Sequence, residues 1–359
     1  MATIKEVAVL ADVSASTVSN VLNGRVPVRE KTRRRVLDAV QQLGYVPNSL
    51  ASNFRRQETN LVAFCVGDIA NPANACLARA AGDVLREEGY HLLIFNCDES
   101  QEVERDVIQI MSRQRVAGAL IIATAQDASI YQPLLDLGIQ IVCVDRAVPS
   151  LAVDVVRNND VEGFRRATQH LLDQGHRRIG FVAGPIGSAV AGERLKGYLR
   201  CLAANGIPAD PELILEGPGE EDFGFESLCR LMLQPDAPTA VLTTGMRLTL
   251  GVLYAIDHLG LKRPEDIDLV GSVGRELRWL SLVKPPVTVI AQPTGRLGSM
   301  AAEYLVARLR GFRTGPAEEI LVEPEIFFGF PAYGHNASGT SVGPATGQCM
   351  EFATQAGEP

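Results

Sequence analysis

The sequence predicts an all-α head joined to a longer α/β body of two doubly wound parallel-sheet subdomains. Two observations predict it. Residues 1–46 carry short apolar stripes at helical spacing, punctuated by cap and turn residues and without a strand-like run. From Leu61 the pattern changes to strand-length apolar runs alternating with helical stretches, and the alternation occurs twice. Strand–helix–strand alternation calls for parallel sheets covered on both faces. Two such series in 359 residues call for two similar subdomains, with ligands favoured in the cleft between them at the carboxyl ends of the strands.

In the head, Thr3 is placed to cap a helix from Ile4 to Ala11, with Val7, Ala8 and Leu10 or Ala11 inward. Asp12 follows at a tight turn, being one of the few non-glycine types that tolerate positive φ. Ser14 can cap a second helix, and Gly24 fits its left-handed stop. Val18, Val21 and Leu22 fall at i, i+3, i+4 and make its inner stripe, while Ala15, Ser16 and Asn20 occupy the opposite face. Two short helices across a tight turn, the second polar outside, make a helix-turn-helix suited to a groove of DNA. A third helix is expected from Val28 or Arg29 to Leu43, with Val36, Leu37, Val40 and Leu43 inside and Gly44 ending it. Pro47 to Arg55 reads as one or two helical turns, too short to be stable alone.

Charge divides the chain in the same place. Through Glu58 there are nine Lys and Arg against five acids, a net +4, whereas the whole chain is −8 and the remainder therefore −12. Phosphate attracts the first part and repels the second, so the head sets the face that meets DNA. Of Arg33, Arg34 and Arg35, at most one or two are expected to reach phosphate.

Several spaced blocks in one order, Thr3-Ile4-Lys5-Glu6-Val7-Ala8, Val13-Ser14-x-x-Thr17-Val18-Ser19-x-Val21-Leu22-Asn23-Gly24, Thr32-Arg33-x-Arg35-Val36 and Leu43-Gly44-Tyr45-x-Pro47-Asn48, resemble the head of the lactose/galactose repressor (LacI/GalR) family. The resemblance implies a homodimer whose two heads enter successive major-groove half-sites of a near-palindromic double-stranded operator. Asn20 is the expected base contact, because Asn bonds both donor and acceptor of an adenine edge. Ala15 offers a methyl contact to thymine and Ser16 a tolerant hydrogen bond. Thr3, Ser14, Thr17, Ser19 and Asn23 are expected to orient the domain on phosphates, with Arg29 also at the DNA. In the family the following segment, here 47–59, becomes a hinge helix in the minor groove, which places Asn48, Leu50, Ala51 and Phe54 at the DNA. A leucine wedge is usual where this chain has Phe54, and aromatic wedges also unstack a base step.

In the body, the first series runs Leu61–Val66, helix Leu77–Glu88, His91–Asn96, helix Glu102–Arg113, Ala119–Ala123, helix Ile130–Leu137 and Ile139–Val144. The second runs helix Asp160–Gln174, Arg178–Ala183, helix Ala189–Asn205, Ala240–Thr244, helix Leu248–Leu259 and Ile267–Val273. Blocks such as Asp68-Ile69-x-Asn71-Pro72, Val144-Asp145-Arg146, Arg194-x-x-Gly197-Tyr198 and Gln292-Pro293 extend the resemblance over residues 2–333. They imply a periplasmic-binding-protein-like body over 60–333. Its N-subdomain is expected at 60–158 and 291–319, and its C-subdomain at 159–290 and 320–333. The Gly/Ser/Thr-rich stretch 334–359 reads as a disordered tail, and without a terminal leucine heptad a dimer is expected over a coiled-coil tetramer.

Effector residues carried over from the family are Asp145, Arg194 and Gln292. Asn74, Met246 and Val273 stand where other family members place an aromatic or a polar group, and Arg146 follows Asp145 directly. Lost acids, with Arg146, Arg247, Arg275 and Arg278 close in sequence, tilt the expectation from a neutral sugar toward a sugar acid or phosphosugar. The alternative is a regulator with a vestigial pocket, controlled by a protein partner. Gly184-Pro185-Ile186-Gly187-Ser188 lacks dinucleotide-binding spacing, and no triad or metal cluster is visible among the scattered histidines, so neither an enzyme nor a cofactor is expected. Seven cysteines without C-x-x-C spacing read as reduced core thiols. With neither a signal-like start nor a membrane-length apolar run, the expected location is the bacterial cytoplasm, at the nucleoid.

Overall fold

The computed structural model describes residues 2–23, 28–45, 59–184, 189–274 and 282–328, without the side chains of Asn23 and Ala189. The chain divides into two compact units, 1–59 and 60–359. Segment 46–58, with Asn48, Leu50, Ala51 and Phe54, and the stretch 334–359 lie outside the described residues, as do Gly24, Arg275 and Arg278.

In the first unit, α1 (Ile4–Leu10) begins with a capping box. Thr3 Oγ1 accepts from the Glu6 backbone N–H at 3.4 Å, and the Glu6 carboxylate accepts from the Thr3 N–H at 2.7 Å. Asp12 takes φ 49° at the turn, and Arg35 from the third helix donates to its carbonyl at 3.1 Å. Helix α2 (Ala15–Asn23) starts after Ser14, whose Oγ accepts from the Thr17 N–H at 3.1 Å. Helix α3 (Glu30–Leu43) ends where Gly44 enters the left-handed region at φ 56°, at little cost without a Cβ. Val7, Ala8, Ala11, Val18, Val36 and Ala39 form the core, with Val21, Leu22, Val40 and Tyr45 against it.

The expected inner stripe of α3 is corrected at Leu37 and Leu43, which are 43% and 36% exposed. Val36, Ala39 and Val40 already satisfy i, i+3, i+4, so Leu37 is carried a helical step off that face. Tyr45 packs on the cluster at the end where Leu43 was expected. Leu10 likewise is 46% exposed, and Ala11 is the buried member of that pair.

In the second unit, the first sheet has the order β11-β5-β4-β3-β1-β2, all parallel. Its strands are β1 (Leu61–Val66), β2 (His91–Asn96), β3 (Gly118–Ile121), β4 (Gln140–Val144), β5 (Asp154–Asn158) and β11 (Glu319–Val322). Helices α4 (Pro72–Glu87), α5 (Gln101–Gln114), the short α6 (Gln132–Leu135) and α11 (Thr294–Leu309) cover its two faces, giving a separate apolar cluster on each. The second sheet has the order β12-β10-β9-β8-β6-β7, with only the β12–β10 pair antiparallel. It comprises β6 (Ile179–Ala183), β7 (Ile214–Glu216), β8 (Ala240–Thr243), β9 (Asp268–Gly274), β10 (Thr288–Gln292) and β12 (Glu325–Phe327). Helices α7 (Asp160–Asp173), α8 (Ala189–Ala204), α9 (Glu221–Met232) and α10 (Met246–His258) flank it, again with two clusters.

Continuous burial along the strands follows from this covering. Both faces of β3 and β6 are apolar because helices lie on each side. The chain crosses between lobes after β5, after β10 and between β11 and β12. The last crossing falls between Val322 and Glu325, a few residues beyond the expected 319/320 boundary. The helix expected at Ile130–Leu137 is a 3-10 turn, Ala128–Tyr131, followed by the single turn α6. Cys65, Cys97, Cys143 and Cys201 are buried free thiols, Cys76 and Cys229 are half-buried, and Cys349 is outside the described residues. Among the described residues no helix is long and apolar enough to cross a membrane.

Candidate functional site

Helix α2 turns Val18 fully into the head core and leaves Ala15 and Ser16 exposed, with Thr17, Ser19 and Asn20 half-buried. The Ser14 hydroxyl is drawn into the cap, lying 2.7 Å from Ser16 Oγ and 2.8 Å from Thr17 Oγ1. Thr3 and Arg29 are exposed at the starts of α1 and α3. Asn23 closes α2. Within the Arg33-Arg34-Arg35 run, Arg34 pairs with Glu30 at 3.9 Å and Arg35 with Asp12 at 3.7 Å.

In the body, the carboxyl ends of the strands in both lobes converge on a cleft of about 240 Å³. The ordering of each sheet, with β1 and β6 set inside β2 and β7, puts its topological switch point there. All seven expected effector residues line it: Asn74 from α4, Asp145 and Arg146 after β4, Arg194 from α8, Met246 opening α10, Val273 on β9 and Gln292 ending β10. Asn158, Thr244 and Ser272 also line it and were not anticipated. Asn158 ends β5, a five-residue strand interrupted by Arg157 and too short and polar to stand out in the sequence.

Asp145 is held at φ 64°, a left-handed conformation at the strand end. Its Oδ1 lies 3.5 Å from Asn158 Nδ2. Asn158 is 1% exposed, and its Oδ1 has no partner among the described residues. Asn74 is buried, and its Nδ2 donates to the Asp68 carbonyl at 2.8 Å. Gln292 Nε2 donates to Ser272 Oγ at 3.2 Å.

Among the described residues, Arg146, Arg194 and Arg247 are paired rather than free positive charges, while Arg275 and Arg278 lie outside the described residues. Arg146 donates to Glu99 through both terminal nitrogens, at 2.6 and 2.9 Å. Arg194 Nε donates to Asp160 at 2.9 Å, and its Nη1 reaches the Thr244 carbonyl. Arg247 is 2.9 Å from Glu220 and 4.0 Å from Asp68. Each of the three thus faces a carboxylate, and Glu99 and Asp160 arrive from loops and helix starts far away in sequence. Burial pushes the Asp160 carboxyl up to about 6 although Arg194 opposes the rise, and the neighbouring Asp145 charge adds to it. Contact with Glu99 raises the Arg146 guanidinium above its usual value, against the opposing effect of burial, so it stays charged.

Comparison with known proteins matches residues 3–48 to the bacterial regulatory proteins of the lacI family and residues 168–329 to a periplasmic binding protein-like domain. The HTH-type transcriptional repressor PurR of Aliivibrio salmonicida (strain LFI1238) is 31% identical over 311 residues, covering 86% of this chain and 93% of that protein. The chain belongs to the lacI family of bacterial regulatory proteins. Like its relatives, this lacI-family member is a DNA-binding transcriptional repressor and not an enzyme. Its fold matches the Lac repressor dimer bound to operator and the anti-inducer ONPF, with TM-score 0.80, 25% identity, and 90% and 97% of the two chains covered. It also matches the transcriptional regulator CelR in complex with cellobiose, with TM-score 0.69, 31% identity, and 92% and 99% covered.

Proposed function

We propose that this lacI-family repressor acts in the cytoplasm as a homodimer on a near-palindromic operator. A small carbohydrate-related effector, held in the cleft of the body, tunes its grip. The observation that carries the effector reading is the convergence of seven expected residues from both lobes on one cleft. A molecule touching both lobes changes their packing, and the segment 47–59 passes that change to the head. A coupling on the order of 1–3 kcal/mol is what such linkage usually supplies. Arg146 and Arg247, two of the four arginines behind the tilt toward a sugar acid or phosphosugar, are already paired with carboxylates.

Two features support the dimer. Among the described residues, strand β2 is a sheet edge paired with β1 alone. Beside it, a groove of about 460 Å³ is lined by Ile69, Ala78, Tyr90, Leu92 and Ile94, with Arg79, Asp83 and Arg86 along α4. A surface carrying both charge signs beside an apolar strip can complement itself about a twofold axis. The related Lac repressor is a dimer on its operator. On DNA, Asn20, Ala15 and Ser16 read bases, while Thr3, Ser14, Thr17, Ser19, Asn23 and Arg29 fix the register on phosphates. Asn48, Leu50, Ala51 and Phe54 serve the minor groove.

The test is binding of the full chain to palindromic and single-half-site duplexes, with sedimentation of the complex. Two chains per palindrome and at least tenfold weaker binding to one half-site are expected. One chain per duplex, with equal affinity for both, contradicts the dimer.

A further inference from the structure

Glu99 does not line the cleft but holds one of the arginines that does. Glu99 follows β2 in a loop where both Asp98 and Glu99 have positive φ, 50° and 51°. The loop is tied back by the Glu99 N–H donating to the Gly67 carbonyl at 3.0 Å. Its carboxylate passes over Gly67 so closely that a Cβ there would lie 2.3 Å from Glu99 Oε1. A side chain at 67 would make that carboxylate shift, and as placed it accepts from both terminal nitrogens of Arg146. On the opposite lobe Asp160, 5% exposed, neutralises Arg194 in the same way. Arg146, which also attracts the Asp145 charge, is already held by Glu99, so the two lining arginines face three carboxylates, Glu99, Asp160 and Asp145.

Hydrogen-bonding capacity points the same way. Among the described residues Asn158 Oδ1 and Arg146 Nε are buried without partners, one an acceptor and the other a donor. Buried polar groups are rarely left so, and ligand hydroxyls can donate to an acceptor such as the first or accept from a donor such as the second. A carboxylate or a fully ionised phosphate can donate to neither Asp145 nor Asn158 Oδ1, and it meets a site whose carboxylates outnumber its arginines.

We propose that Glu99 and Asn158 set effector selectivity: Glu99 cancels Arg146 and so turns away anions, while Asn158, beside Asp145, reads a hydroxyl of a neutral, polyhydroxylated ligand. This rests on the cleft being the effector site. The test uses the full chain and matched sets: neutral sugars and polyols against the corresponding sugar acids and sugar phosphates, read by calorimetric titration and thermal melting. A neutral member binds at least tenfold more tightly than its acid or phosphate. Glu99→Gln frees the Arg146 charge and narrows that ratio at least fivefold. Asn158→Leu weakens the neutral ligand at least tenfold without lowering the melting temperature of the ligand-free chain.

A wild-type preference for the anion overturns the proposal. So does a ratio unmoved by Glu99→Gln, or a ligand affinity unmoved by Asn158→Leu. If Asn158 were only structural, Asn158→Leu would lower the ligand-free melting temperature and leave relative ligand affinities alone, which also overturns it. Operator binding, measured on the same preparations, separates the two levels. If no neutral compound binds while DNA is still held, this inference fails and the regulator stands. If DNA is not held, the regulator reading itself fails.

Discussion

Asn20 and Asp160 carry the two sharpest expectations at the scale of single residues. Asn20→Ala is expected to relax base preference at one position of each half-site by about 1–3 kcal/mol, since a bidentate Asn–adenine pair supplies that much discrimination. Oligonucleotide selection with the variant checks it, and an unchanged preference rejects the assignment. Asp160 makes a pH prediction. Its carboxyl stands at about 6 in the folded chain against an ordinary 3.8, so between those values the folded state holds a proton the unfolded chain has released. Stability therefore falls as pH climbs from about 4 to about 6, and this contribution is flat above. The groups acting on it are Arg194 and Arg157, which oppose the rise, and Asp145, which adds to it. Asp160→Asn should flatten that part of the profile of denaturant midpoint against pH, and a slope identical to wild type would falsify the assignment. At this scale the sequence showed Asp145, Arg194 and Gln292 through their blocks. It could not show Glu99 or Asp160 as counter-charges, because ion pairing across 47 and 34 residues leaves no local signature.

Local signals at the scale of elements were strong where caps and periodicity agreed. Thr3 with Glu6, Ser14, Asp12 and Gly44 each do in space what their chemistry suggests. Elements escaped notice where burial was incomplete or the run was short. Strand β5 is cut by Arg157, β7 has three residues, and α9 opens with Glu221 and Asp222 after a glycine-rich loop. Helix-to-helix contact is fixed by glycines whose purpose only the fold reveals. A Cβ on Gly197 of α8 would lie 2.3 Å from the Val161 carbonyl of α7. Gly197→Ala must push these helices apart and is expected to cost about 1–3 kcal/mol, the usual range for overpacking. Gly315→Ala meets open space and should be nearly silent. Denaturant midpoints of the two variants compare them directly, and equal midpoints contradict the close packing.

The whole molecule is divided by charge as well as by fold, with a cationic first unit and an acidic second one. This division was legible in composition, as was the twofold repetition of the body in its alternating runs. The pairing state of the cleft was not, since sign and number of charges say nothing of which ones meet. Whatever binds the body can act on transcription only through sequence-specific grip of DNA by the head. The most direct measurement is an unbiased duplex selection with the purified full chain at low salt. Enrichment of one motif with twofold symmetry is the predicted result. Retention of duplexes without any shared sequence, or no retention, contradicts it.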